Sequence, residues 1–172
     1  MRQIKINSVT GSEIITTSEV KDYVRIDTTA DDTIISRMIV QARIWCENYI
    51  SKDIVAKTRS YYIPETNSGI FDLPFAPVAS IQSITIDSTT ATYEVLGLDN
   101  ETIELDAGPT SKVQINYTTL GLSDDLLKQA MLQLVSTYYD NRADFVSDTK
   151  GSIDEVPSST KNILNSYKTM FL

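Results

Sequence analysis

The chain has 172 residues, 41% of them hydrophobic, enough for one ordinary domain or a domain with an insertion, and a net charge of −8. It has no histidine and one cysteine, Cys46, which excludes Ser-His and Cys-His catalysis, the usual zinc sites and any internal disulfide. No apolar run approaches the roughly 18 residues of a membrane span, and MRQIKINSVTGSEI lacks the apolar core of a signal peptide. The expectation is a soluble protein made in the cytoplasm, with no membrane partner.

The charge is unevenly spread. Residues 1–60 carry 9 Lys and Arg against 8 Asp and Glu, residues 61–122 carry 1 against 8, and residues 123–172 carry 5 against 7. An acidic middle third repels phosphate and argues against tight nucleic-acid binding, yet suits a wall that DNA slides past.

In chain order, Gln3 to Val9 alternates and predicts a short edge strand or an ordered arm, ending in a turn at Thr10-Gly11-Ser12. Thr16-Thr17-Ser18-Glu19 is a capping box for a short helix over about 17–25, whose apolar face is Val20, Tyr23, Val24 and Ile26. The longest helix is predicted over about 32–51, with Asp31 or Asp32 as cap. Ile34, Ile35, Met38, Ile39, Ala42, Trp45, Cys46, Tyr49 and Ile50 recur at three-and-four spacing as one core stripe, and a buried, inert thiol is expected at Cys46. Arg37, Gln41, Arg43, Glu47 and Asn48 are expected to form the polar face, for water or a neighbouring subunit.

The period then changes to that of strands. Candidates are 57–63, 70–73, 78–86, 93–96, 102–105 and 112–117, rich in β-branched and aromatic residues and punctuated by Pro64, Gly69, Pro74 and Pro77. They predict an antiparallel meander or small sandwich. Helical spacing returns from Leu126 to Tyr139, opened by Ser123, Asp124 and Asp125, and predicts a helix over about 124–142 that partners the long one. Residues 143–157 read as a loop or a segment ordered by a partner, and a last helix is expected over about 158–170, capped by Ser158 or Ser159. The predicted fold is α+β: a single domain with a small helical bundle from 16–55 and 123–172, and an inserted antiparallel β region at about 57–119.

Nothing catalytic emerges. Asp31-Asp32 and Asp124-Asp125 are paired carboxylates suited to a metal or to acid-base work, but their places at helix starts favour capping. No phosphate loop, dinucleotide fingerprint, metal spacing or nucleophile elbow is present, so no cofactor is expected. Tyr138, Tyr139 and Arg142 suit either a partner anchor or a half-buried helix end. Ile163, Leu164, Tyr167, Met170 and Phe171 either cover the bundle or form a docking tail.

The ordered set of motifs resembles the head-to-tail connector (adaptor, or head-completion) proteins of long-tailed phages and prophages. Thr17-Ser18-Glu19-Val20-Lys21-Asp22-Tyr23-Val24-Arg25-Ile26-Asp27, followed by Asp31-Asp32, is similar to the family's opening, and Ile34 to Ile50 to its long helix. Leu73-Pro74-Phe75-Ala76-Pro77-Val78-Ala79-Ser80-Ile81 resembles the step into its β region. Lys128 to Val135 with Tyr138-Tyr139-Asp140-Asn141-Arg142 resembles its later helix, and Glu155-Val156-Pro157 with Leu164 and Tyr167-Lys168 its close. The chain departs from the pattern at Tyr117-Thr118-Thr119-Leu120-Gly121-Leu122, where an aromatic-Gly pair is usual, and at Asp125, where proline is usual.

The resemblance implies a structural virion protein and not an enzyme. It implies a ring, of twelve copies on the virion and either a ring or a monomer when isolated, that binds the portal, extends the DNA channel without sequence-specific contacts, and meets the next neck or tail protein. Residues 158–172 are then expected to touch the portal, and deleting them to abolish portal binding while leaving the fold intact. The alternative is a small regulatory or ligand-binding module; a metal-dependent hydrolase built on Asp and Glu is a further rival.

Overall fold

The structure is a computed structural model that describes residues 1–141 and 156–168. The chain divides into two compact units, one of residues 1–12 and 55–122, the other of residues 13–54 and 123–172.

The first unit is all β. Its strands are β1 (Gln3–Val9), β2 (Lys57–Thr66), β3 (Ile70–Asp72), β4 (Val78–Ile86), β5 (Thr89–Thr90), β6 (Tyr93–Leu96), β7 (Thr102–Leu105) and β8 (Thr110–Thr119). They form a five-stranded sheet, in the order β1-β2-β8-β4-β5, and a three-stranded sheet, in the order β3-β7-β6. Every pairing is antiparallel. The larger sheet is not a plain meander, because β8 returns to lie between β2 and β4.

Alternation sets which side chains go inside. Tyr61 and Ile63 of β2 and Val113, Ile115 and Tyr117 of β8 join Phe71, Ile103 and Leu105 from the smaller sheet, and Leu73 just past β3, in one buried cluster. The imperfect alternation of Val78 to Ile86 has a cause: its pairing to β8 shifts register between Val78 and Ser80 and again between Ile81 and Ser83. Bulges of this kind put one extra residue on the strand and break the period of two. Strand β2 runs on through Pro64, where the sequence suggested a stop. The last β1 pair is Gln3 with Tyr62, so Pro64 lies past the end of that neighbour and its missing N–H breaks no ladder there. The N-terminal segment is an edge strand, exposed along its whole length.

The second unit holds α1 (Thr17–Val24), α2 (Asp32–Ile50), α3 (Asp125–Asp140) and α4 (Ser158–Asn165). Its core joins Val20 with Ile35, Ile39, Ala42, Cys46 and Ile50 of α2, Leu127, Ala130, Met131, Leu134 and Val135 of α3, and Leu164. Thr16 and Glu19 form the expected capping box, and Asp124 accepts the Leu126 N–H at 2.7 Å.

Three expectations about helix ends need correction. Asp31 occupies the N-cap position of α2 without a side-chain capping bond; its Oδ2 accepts the Tyr139 hydroxyl at 2.6 Å, while Asp32 accepts the Lys21 ammonium at 3.1 Å. Pro157, not Ser158 or Ser159, is the N-cap of α4, because the Ser159 and Thr160 hydroxyls are drawn 3.0 and 3.1 Å from Gln133 Oε1 on α3. Helix α4 also ends at Asn165, earlier than position 170. Arg142, Met170 and Phe171 lie outside the described residues.

Candidate interaction surfaces

The faces of α2 differ from the sequence expectation in a way that bears on function. Arg43 and Glu47, expected on the polar face, are 5% and 3% exposed. Arg43 Nε donates to both oxygens of Glu13 at 2.9 and 3.0 Å, and its Nη1 donates to Glu47 Oε2 at 2.9 Å. The other Glu47 oxygen accepts the Ile54 N–H at 3.0 Å, which ties the last turns of α2 to the segment that follows it. Two charges leave water here because each is paired and hydrogen-bonded.

Ile34, expected in the core stripe, is exposed, and so are Val40 and Ile44 on the same outer side of the helix. Thr33, Ser36, Arg37, Val40, Gln41 and Ile44 line an open groove of about 610 Å³. A helix that turns apolar side chains outward as well as inward has a face suited to another surface.

Of the residues predicted as a partner anchor, Tyr139, Leu164 and Tyr167 are engaged in holding the bundle. Tyr139 bonds Asp31 as described, and Leu164 is fully enclosed in the helical core. Tyr138, Ile163 and Tyr167 are half-buried. Burial, and then a hydrogen bond to the Asp124 carboxylate, push the Tyr167 phenol up to about 12. Asp124 is held below the usual carboxylate range, first by the Leu126 N–H and next by Tyr167. Helix α4 is further fastened by Tyr49, whose hydroxyl donates to Asn165 Oδ1 at 2.8 Å; Tyr49 stacks on Trp45 with centroids 5.0 Å apart and has the Lys168 ammonium 4.5 Å over its ring. The expectation that 158–172 could be deleted without harm to the fold is therefore corrected. Removing Leu164 and Thr160, both wholly buried, would open the core.

A second surface lies on the smaller sheet. Glu94 and Glu104 stand directly opposite each other across β6 and β7, as do Leu96 and Thr102. Like charges so placed repel. The turn between these strands carries Leu98, which is fully exposed at 102%. The loop is held by the Asp99 N–H to Glu101 Oε2 at 2.9 Å and by the Val78 N–H to the Asp99 carbonyl at 2.9 Å. Gly97 has φ +90, and a Cβ there would sit 2.6 Å from the Glu101 carboxylate, so glycine is required at that bend. Leu98 is thus an apolar knob on a built turn. A turn leucine with acidic neighbours gives no periodic signal, and the sequence reading missed it.

Among the described residues no group of three His, Cys, Asp or Glu could hold a metal; Asp124 caps α3, Asp31 and Asp32 bond Tyr139 and Lys21, and the exposed Asp125 lies 3.7 Å from Lys128. No helix among them is long and apolar enough to cross a membrane.

The model of the family described as "Head completion protein" matches residues 13–170. Among solved structures, the fold is similar to a chain in "Neck of empty GTA particle computed with C6 symmetry", with a TM-score of 0.77 and 17% identity over 99% of this chain and 97% of that one. It is also similar to a chain in "Virion of native gene transfer agent (GTA) particle", with a TM-score of 0.73 and 19% identity over 99% and 97% of the two chains. No curated protein sequence matches the chain.

Proposed function

The chain belongs to the head completion protein family, and from that membership we propose that it assembles as a ring beneath the portal, joining the DNA-filled head to the neck or tail and extending the DNA channel. Within that family it is a structural virion protein of the head-to-tail neck, not an enzyme. The observation that carries the reading is the family match over residues 13–170. The similar fold of a chain in a neck computed with C6 symmetry supports it, since rotation about one axis is how identical subunits close a ring, and twelve copies is a multiple of six.

Further features suit this role. The acidic stretch 61–122 has Lys112 as its one cation, and that ammonium is 2.9 Å from Asp87. A channel wall of this sign lets packaged DNA pass without sequence-specific adhesion. The portal contact is assigned to Ile163, Leu164, Tyr167, Met170 and Phe171, with Tyr138, Tyr139 and Arg142 as a further anchor. Leu164, itself enclosed, contributes by anchoring α4, which carries Ile163. The protein is made in the bacterial host cytoplasm and ends in the virion, where the next neck or tail protein is its further partner.

The test is the mass and shape of the purified protein, alone and mixed with the cognate portal, by light scattering and negative-stain microscopy. A ring near twelve copies, free or on the portal, is expected. A stable monomer or dimer that ignores the portal would overturn the reading and favour a small regulatory or ligand-binding module.

A further inference from the structure

We propose that the contact between neighbouring copies is made by the Leu98 turn of one copy seated in the outer groove of α2 on the next; this rests on the ring reading above. A ring needs two different, complementary patches on each subunit, because a heterologous contact closes only by rotation. The two surfaces meet that requirement in shape, polarity and charge. The groove is lined by Val40 and Ile44, which are 38% and 47% exposed, and it has the exposed Arg37 toward the start of the helix. The opposing patch offers Leu96 and the fully exposed Leu98, with Glu94 and Glu104 facing each other beside them.

The spans agree. From Arg37 to Ile44 the helix advances about 10 Å at 1.5 Å per residue. From Glu94 to Leu98 a strand and its turn reach at most about 13 Å. Leu98 on Ile44 and Val40 therefore brings Glu94 within reach of Arg37. The guanidinium would lie against a pair of carboxylates that repel each other in the isolated subunit, and it relieves that repulsion. The loop bonds of Asp99 and Val78 hold Leu98 out before any partner arrives, so little ordering remains to be done on contact.

The test uses full-length protein carried into assembled particles. The double variant Ile44→Cys with Leu98→Cys is expected to give a ladder of disulfide-linked oligomers on a non-reducing gel, while neither single variant runs beyond a dimer. Native Cys46 is buried and leaves the background low. Rings visible by microscopy without a ladder would overturn this contact and leave the ring standing; particles without a ring of this protein would overturn the ring reading itself. Cross-linking of the Ile44→Cys variant to a different virion protein would assign the groove to that protein and overturn the proposal. In a second experiment, Arg37→Glu is expected to cut ring yield at least tenfold, and Glu94→Lys in the same chain to restore it. Failure of that restoration while each variant stays folded would also overturn it.

Discussion

Arg43→Met is the sharpest test of what holds the helical unit together. The substitution keeps most of the aliphatic volume and removes the cation that Glu47 and Glu13 share. The two carboxylates then fare differently. Glu13, with its side chain 30% exposed, recovers solvent; Glu47, at 4%, does not, although it retains the Ile54 N–H at 3.0 Å. Removing one partner of a buried pair costs roughly 3–5 kcal/mol, and the surviving Ile54 bond places this case near the lower end, about 3 kcal/mol. For a chain of this size each 1 kcal/mol moves the midpoint by roughly 2–4 °C, which gives a fall of about 6–12 °C. Adding Glu47→Gln removes a buried charge that has lost the Arg43 guanidinium while preserving an acceptor for Ile54, so the double variant should be more stable than Arg43→Met alone. Thermal and urea unfolding followed by circular dichroism at 222 nm reads the result, since all the helices described belong to this unit. An Arg43→Met midpoint within about 1 °C of the parent, or a double variant at the sum of the two single losses, would refute the argument.

Three further outcomes follow from the same geometry. Leu164→Ala should cost about 2–5 kcal/mol, because the side chain is fully enclosed, and should make α4 the first segment cut in limited proteolysis; unchanged cleavage would contradict its docking on α3. Burial, and next the Glu47 charge, push the Cys46 thiol up to about 12, so it should resist iodoacetamide at pH 8 until urea unfolds the chain. Modification at the rate of a free thiol would show that the core opens. Tyr167 is an acid whose folded value is raised, so its contribution is complete below pH 10 and is lost as pH rises through about 12. Its phenolate absorbance should appear later than that of an ordinary tyrosine, and Tyr167→Phe should delete that late step and no other.

Much of the fold was readable in advance, for reasons that can be named residue by residue. The stripes at Ile35, Ile39, Ala42 and Cys46 and at Leu127, Ala130, Met131 and Leu134 carry the 3.6-residue period, and burial follows it. Thr16 with Glu19 is a local device, closed within one turn, and it formed where the spacing placed it. Strands β4, β6 and β7 fell at the predicted residues, because β-branched runs between turn residues have few other states.

What failed was whatever depended on a distant partner. Asp31 has the chemistry of a cap, and only the position of Tyr139, 108 residues away, decides that it accepts a phenol instead. Ser159 and Thr160 turn to Gln133 for the same reason. Arg43 and Glu47 look like surface residues until Glu13 and the Ile54 amide are brought to them; Ile34 looks like core until the helix has spent its buried face elsewhere.

By itself, the sequence determined the element types, the two periods, the acidic middle third, the absence of histidine chemistry and, through ordered motifs, the family. Those properties are local or additive, and each is settled within a few residues of chain. The tertiary structure alone decided the strand order with β8 between β2 and β4, which of the charges on α2 are buried, and that Leu98 stands out from a built turn beside Glu94 and Glu104. These depend on which residues meet across long separations, and a helical or strand period says which face is apolar without saying what will cover it.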